Sequence, residues 1–155
     1  IKLKMCQILQ LLLPLVVATL LIVIVVGADE DESMSMDDIM QALDSFASNC
    51  DPVPTREQME AMVMNERNPQ RETKCFRHCL MIQFELGSTK MEKEKTKDLI
   101  DMVMPDKEAL ALEIIDKCNQ KTDAIDDVCE AAHELSMCVY DELKANDVAI
   151  PEIKQ

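Results

Sequence analysis

Two glycines in a chain of 155 residues exclude several architectures at once. A phosphate-cradling loop, a collagen helix and a turn-rich β-sandwich all need more. Tryptophan is absent, and only four aromatics occur: Phe46, Phe76, Phe84 and Tyr140. Any stacking on a ligand must come from these. Basic residues are also scarce, with 16 Lys and Arg against 30 Asp and Glu, a formal net charge of −14. So acidic a chain repels phosphate backbones, and no nucleic-acid partner is expected. A hydrophobic fraction of 48% is too high for a disordered acidic tail. The length suits one domain.

What is present begins with an apolar leader. Lys2 and Lys4 precede a nearly uninterrupted apolar run from Leu9 to Val26, followed by Val26-Gly27-Ala28. A basic start, an apolar core and small residues form a secretory signal, so residues 1–28 are expected to be removed after Ala28. The alternative is an uncleaved anchor helix, since the run approaches membrane-spanning length. Cleavage takes away Lys2, Lys4 and Cys6 but no acid, so the mature chain, residues 29–155, carries 14 basic and 30 acidic residues and a net −16. Seven cysteines become six: Cys50, Cys75, Cys79, Cys118, Cys129 and Cys138. In a small secreted domain six cysteines read as three disulfides.

Apolar residues in the mature chain recur at three and four rather than alternating, which predicts helices throughout. Ser35-Met36-Asp37-Asp38 opens the first, with Ile39, Leu43 and Phe46 on one face. Thr55-Arg56-Glu57-Gln58 opens a second, which Asn68-Pro69 stops. A third is expected from about Glu72 to Leu86, stacking Cys75, Cys79, Ile82 and Leu86, with Gly87 as its C-cap. A charged helix runs from Met91 to Val103. Pro105 begins the next, striped by Leu110, Ala111, Ile114, Ile115 and Cys118. The last starts near Asp123 and ends at Asn146-Asp147, leaving a short apolar tail from Val148 to Ile153. Helix geometry restricts disulfide pairing. Cys75 and Cys79, four apart, share a face and are poorly placed to bond each other. Cys129 and Cys138, nine apart, face opposite sides and must reach different partners. Six cysteines allow fifteen connectivities, and this removes several without selecting one.

Between successive cysteines lie 24, 3, 38, 10 and 8 residues. This spacing, x3 between Cys75 and Cys79 and x8 between Cys129 and Cys138 above all, resembles the six-cysteine signature of insect odorant-binding and pheromone-binding proteins. The acidity, the leader and the all-helical pattern agree with it. The resemblance implies an all-α fold of six helices around an internal hydrophobic cavity. It also implies three interlocked bridges, first to third, second to fifth and fourth to sixth: Cys50–Cys79, Cys75–Cys129 and Cys118–Cys138. Such bridges offset a hollow interior by restricting the unfolded chain, by about 2–4 kcal/mol each. The implied activity is that of a secreted carrier, not an enzyme, ferrying small hydrophobic ligands such as odorants or pheromone-like semiochemicals through aqueous lymph to a membrane odorant receptor, as monomer or homodimer.

Helix faces combined with that cavity nominate wall residues: Ile39, Leu43, Phe46, Met62, Phe84, Val103, Leu110, Ile114, Leu135 and Val139, with Val148 and Ile150 from the tail. Eleven methionines remain after cleavage. Their flexible thioethers fill core gaps and suit a wall that moulds to varied ligands. No cofactor or metal is expected. His78 lies inside Cys75-Phe76-Arg77-His78-Cys79, but a secreted context favours disulfides over a metal site. Ser136 near His133 is a helical neighbour rather than a triad, and the many acid pairs are a solvated face. Neither His78 nor His133 has an evident partner in the sequence, and an exposed, inert histidine is the commoner case. Their titration range nonetheless suggests an acid-sensitive tail contact. The rival class is a secreted helical signalling or salivary protein acting through its outer surface.

Overall fold

A computed structural model describes residues 35–150 and residue 153. The leader, its cleavage site and the anchor alternative lie outside these residues. Every regular element described is helical: α1 Met36–Ala47, α2 Arg56–Val63, α3 Arg71–Gln83, α4 Lys93–Val103, a 3₁₀ turn Pro105–Lys107, α5 Glu108–Thr122 and α6 Val128–Ala145. The expected all-α, six-helix class is what the chain adopts.

Side-chain caps set the helix starts. Ser35 Oγ accepts from the Asp38 N–H, opening α1. Thr55 and Gln58 form a complete capping box at α2, with each side chain bonded to the other residue's backbone. The Asp127 carboxylate accepts from the Cys129 and Glu130 N–H groups at α6, both at 3.0 Å. Those two amides, with Arg71, hold Asp127 below the usual carboxylate range. The last helix therefore starts five residues beyond the Asp123 expected from sequence. Pro105 opens the 3₁₀ turn rather than α5 itself.

Helix ends reveal how a glycine-poor chain stops its helices. Three close with the same pair of bonds: Asn65 to Met62 and Glu66 to Ala61 after α2, Glu85 to Ile82 and Leu86 to Met81 after α3, Asp147 to Lys144 and Val148 to Leu143 after α6. This is the Schellman arrangement, which places one residue in the left-handed region. Here those residues are Asn65, Glu85 and Asp147, at φ of 52°, 55° and 53°. Gly87 is not the C-cap of α3. It lies two residues further on, at a φ of 128° in the following loop. Likewise α2 ends at Val63, ahead of Asn68-Pro69, because Asn65 turns the chain first. Ile82 does not stack inward with Cys75 and Cys79 but is half exposed.

The three disulfides are Cys50–Cys79, Cys75–Cys129 and Cys118–Cys138, the pairing that the family resemblance implies. They tie the loop after α1 to α3, α3 to α6 and α5 to α6. α3 and α6 make the most extensive helix–helix contact. Ion pairs Arg71–Asp127, Lys74–Glu130 and Lys117–Glu142 run along the flanks of α6. Exposed pairs of this kind contribute little stability and mainly fix orientation.

The interior forms two apolar clusters. One gathers α1, α2 and the inner face of α3, including Ile39, Met40, Leu43, Met59, Met62, Val63, Phe76 and Leu80. The other gathers α4, α5 and α6, including Ile100, Ile114, Ile115, Leu135, Val139 and Leu143, with Val148 of the tail. Phe84, the residue that ends α3, packs against both. Its ring meets Phe46 at 5.0 Å between centroids, tilted by 48°. The Gln83 amide donates to the Phe46 carbonyl at 3.0 Å, securing the end of α1 beside this pair.

Candidate binding region

The nominated wall residues divide between the two clusters. Ile39, Leu43 and Met62 are buried in the first, with Phe46 packed on it. Ile114, Leu135, Val139 and Val148 are buried in the second, with Leu110 packed on it. Phe84 joins the two groups. Val103 ends α4, and its side chain lies outside what the structure describes. Ile150 belongs to neither cluster and faces a surface cleft instead.

That cleft encloses about 650 Å³. Val63, Met64 and Asn65 at the end of α2 form one wall, and Tyr140, Lys144 and Asp147 from the last turns of α6 form another. The tail closes it with Val148, Ala149, Ile150 and Ile153. Val63 belongs to one buried cluster and Val148 to the other, so the floor of the cleft reaches both. The size lies within the range of small-ligand sites. Lys144 Nζ sits 5.3 Å above the Tyr140 ring, a cation–π contact.

Sequence reasoning nominated two of the four tail residues of this cleft, Val148 and Ile150, named Tyr140 only as an aromatic able to stack on a ligand, and missed Asn65, Lys144 and Asp147. Asn65 falls inside the second helix as the sequence predicts it, and nothing in the local pattern distinguishes Lys144 from the other surface lysines. Met40, Met59 and Val63 are interior, as their helical spacing suggested, whereas Phe76 and Leu80 were missed as interior residues although their spacing of four carried the signal.

Buried polar groups hold the α2 wall from behind. Arg77 is 3% exposed. Its guanidinium donates to the Met62 carbonyl at 2.8 Å and to Asn65 Oδ1 at 3.3 Å. A cation there complements the negative end of α2. Burial pushes Arg77 down to about 10. His133, which the sequence suggested to be exposed and without a partner, is fully buried. Its Nε2–H donates to the Arg67 carbonyl at 3.1 Å, while Nδ1 has no partner among the described residues. Arg67 in turn grips Asp141 of α6 at 2.8 and 2.5 Å. His78 Nε2 lies 3.2 Å from Ser88 Oγ.

Burial lowers the pKa of His133, and the nearby charges of Arg77 and Lys74 lower it further, outweighing the Arg67 carbonyl and Glu134. Burial lowers His78 as well. A histidine depressed in the folded state binds its proton more readily once unfolded. Stability is therefore lost as pH falls below the ordinary histidine value of about 6.5. The depressed carboxylates of Asp127 and Asp141 act only at lower pH, below about 4. We expect a lower thermal midpoint at pH 5 than at pH 7, and a smaller difference in His133→Gln, whose amide can still donate to the Arg67 carbonyl. Equal pH slopes in the two proteins would remove His133 as the source.

Cys79 is bonded to Cys50, so it has no thiolate for a metal beside His78. No cluster of three or more His, Cys, Asp and Glu side chains among the described residues is placed to hold a metal ion. Ser136 Oγ donates to the Ala132 carbonyl at 2.8 Å, a bond within its own helix.

A disulfide-braced bundle of six helices, apolar within and lined at one end by a mixed cleft, is the framework of a small-ligand binding protein. The PBP/GOBP family model matches residues 32–142, and the chain belongs to that family. Among curated proteins it is similar to General odorant-binding protein 19d of Drosophila melanogaster, at 26% identity over 103 residues, covering 63% of this chain and 68% of that protein. No solved structure gives a significant match.

Proposed function

We propose that the protein is a secreted carrier that encloses a small hydrophobic ligand, an odorant or a pheromone-like semiochemical, and conveys it through aqueous lymph towards a membrane odorant receptor. In this reading residues 1–28 are the removed signal and residues 29–155 the carrier domain. The observation that carries it is the PBP/GOBP match across the bridged helices. The similarity to a general odorant-binding protein supports it. The ligand would lie along the seam at Phe84, where Ile39, Leu43, Phe46 and Met62 meet Ile114, Leu135 and Val139. Entry from the cleft would bring it past Val148 and Ile150. Binding would come from burying apolar ligand surface, at roughly 25 cal/mol per Å². A few polar groups would set its orientation.

The test is uptake of a fluorescent apolar probe by the oxidised mature protein, with displacement by volatile alcohols and esters. Saturable uptake with displacement is expected. Absence of uptake would exclude an enclosed ligand and favour a protein acting through its outer surface.

A further inference from the structure

The cleft between the ends of α2 and α6 holds a lysine without an acid partner among the described residues. Most basic side chains in the described residues are already paired with acids: Arg56, Arg67, Arg71, Lys74, Lys90, Lys93, Lys95, Lys97 and Lys117 each lie within ion-pair distance of a carboxylate. Lys107, Lys121 and Lys144 have no such partner among the described residues, although the chain has nearly two acids for every base, and of the three only Lys144 lines the cleft. Among the described residues it is the one basic side chain in the cleft lining. Another cation without an acid partner among the described residues, the buried Arg77, bonds to Asn65 in the opposite wall. Asp141, three residues before Lys144 on α6, is occupied by Arg67. Val63, Met64, Val148 and Ile150 give the cleft an apolar side next to Lys144.

We propose that this cleft selects an amphiphile with an aliphatic chain and a carboxylate head. The head pairs with Lys144 beside Tyr140, and the chain runs over Val63 and Val148 towards the interior. A charge-assisted bond from an ammonium to a carboxylate is stronger than one to a neutral oxygen. Asp147 is the one carboxylate in the lining among the described residues and opposes the head. Two of its neighbours, the ends of α2 and α6, carry partial negative charge. Arg77 offsets the first, while the second acts with Asp147 against the head and weakens the pull of Lys144. The inference rests on the carrier reading and names the chemistry of its ligand.

Tyr140 is the only tyrosine and tryptophan is absent, so intrinsic emission reports this cleft alone. The experiment titrates the oxidised mature protein at neutral pH with dodecanoate, its methyl ester and dodecan-1-ol, reading Tyr140 emission alongside displacement of the apolar probe. The carboxylate should bind about tenfold more tightly than the ester, a difference of about 1.4 kcal/mol. Lys144→Met should remove that preference and leave the ester within about twofold of its original affinity, while Asp147→Asn should strengthen the carboxylate only. Equal affinities for acid and ester, or a Lys144→Met effect on both alike, would overturn the proposal. Probe displacement with no change in Tyr140 emission would also overturn it while leaving the carrier reading standing. Failure of every ligand and of the probe to bind would remove both.

Discussion

Replacing Cys75 and Cys129 together with alanine should cost about 4 kcal/mol and lower the thermal midpoint by on the order of 10 °C. The bridge spans 54 residues, against 29 for Cys50–Cys79 and 20 for Cys118–Cys138. The constraint on the unfolded chain grows with the logarithm of loop length, so the other two bridges should each be worth roughly 3–4 kcal/mol. The position matters as much as the length. Cys75–Cys129 joins α3 to α6, the helices with the largest shared contact, and these also bear the Lys74–Glu130 and Arg71–Asp127 pairs. Those native contacts survive the substitution, so the loss should appear mainly as a freer unfolded state. Chemical denaturation of the double variant against the parent provides the measurement. A cost below about 1 kcal/mol would show that the bridge restricts little.

Leu135→Ala should cost about 3 kcal/mol, within the 2–5 kcal/mol range for truncating a buried leucine. Leu135 is wholly buried on α6, in the cluster with Ile114, Val139 and Leu143. The interior there draws on three helices, which cannot all collapse onto a missing side chain. If Leu135 also edges the ligand space, the vacated volume becomes usable. Bulkier ligands should then gain affinity relative to slim ones, and a bound ligand should restore part of the lost stability by mass action. Thermal unfolding with and without ligand tests both parts. Full destabilisation with unchanged ligand preference would place Leu135 in the filled core and remove it from the proposed wall.

The two substitutions also separate what supports this fold. One acts through the unfolded chain and the other through native packing. Their effects should add to within a few tenths of a kcal/mol unless Leu135 and the bridge couple through α6. A carrier needs both contributions, because space kept for a ligand is core packing forgone.

Periodicity and caps by themselves determined the helical class. Ser35 and Thr55 start their helices as their local sequence dictates, because an N-cap bond joins residues only three apart. Cysteine spacing, through the family resemblance, carried the disulfide pairing. The start of α6 was different. Asp123, Asp126 and Asp127 are all competent caps, and the choice of Asp127 accompanies two long-range contacts from α3 that no local pattern encodes: Arg71 to Asp127 itself, and Cys75 to Cys129 two residues on. The stop of α3 was decided at Glu85 rather than Gly87 because Leu86 packs back against the same cluster as Met81, fixing the turn in place. Histidine burial, the Arg77 anchor and the joining of Lys144 to Asn65 across one cleft were likewise tertiary. They depend on which helix ends the bridges and clusters bring together, and charge at a site follows from neighbours in space, which helix periodicity does not specify.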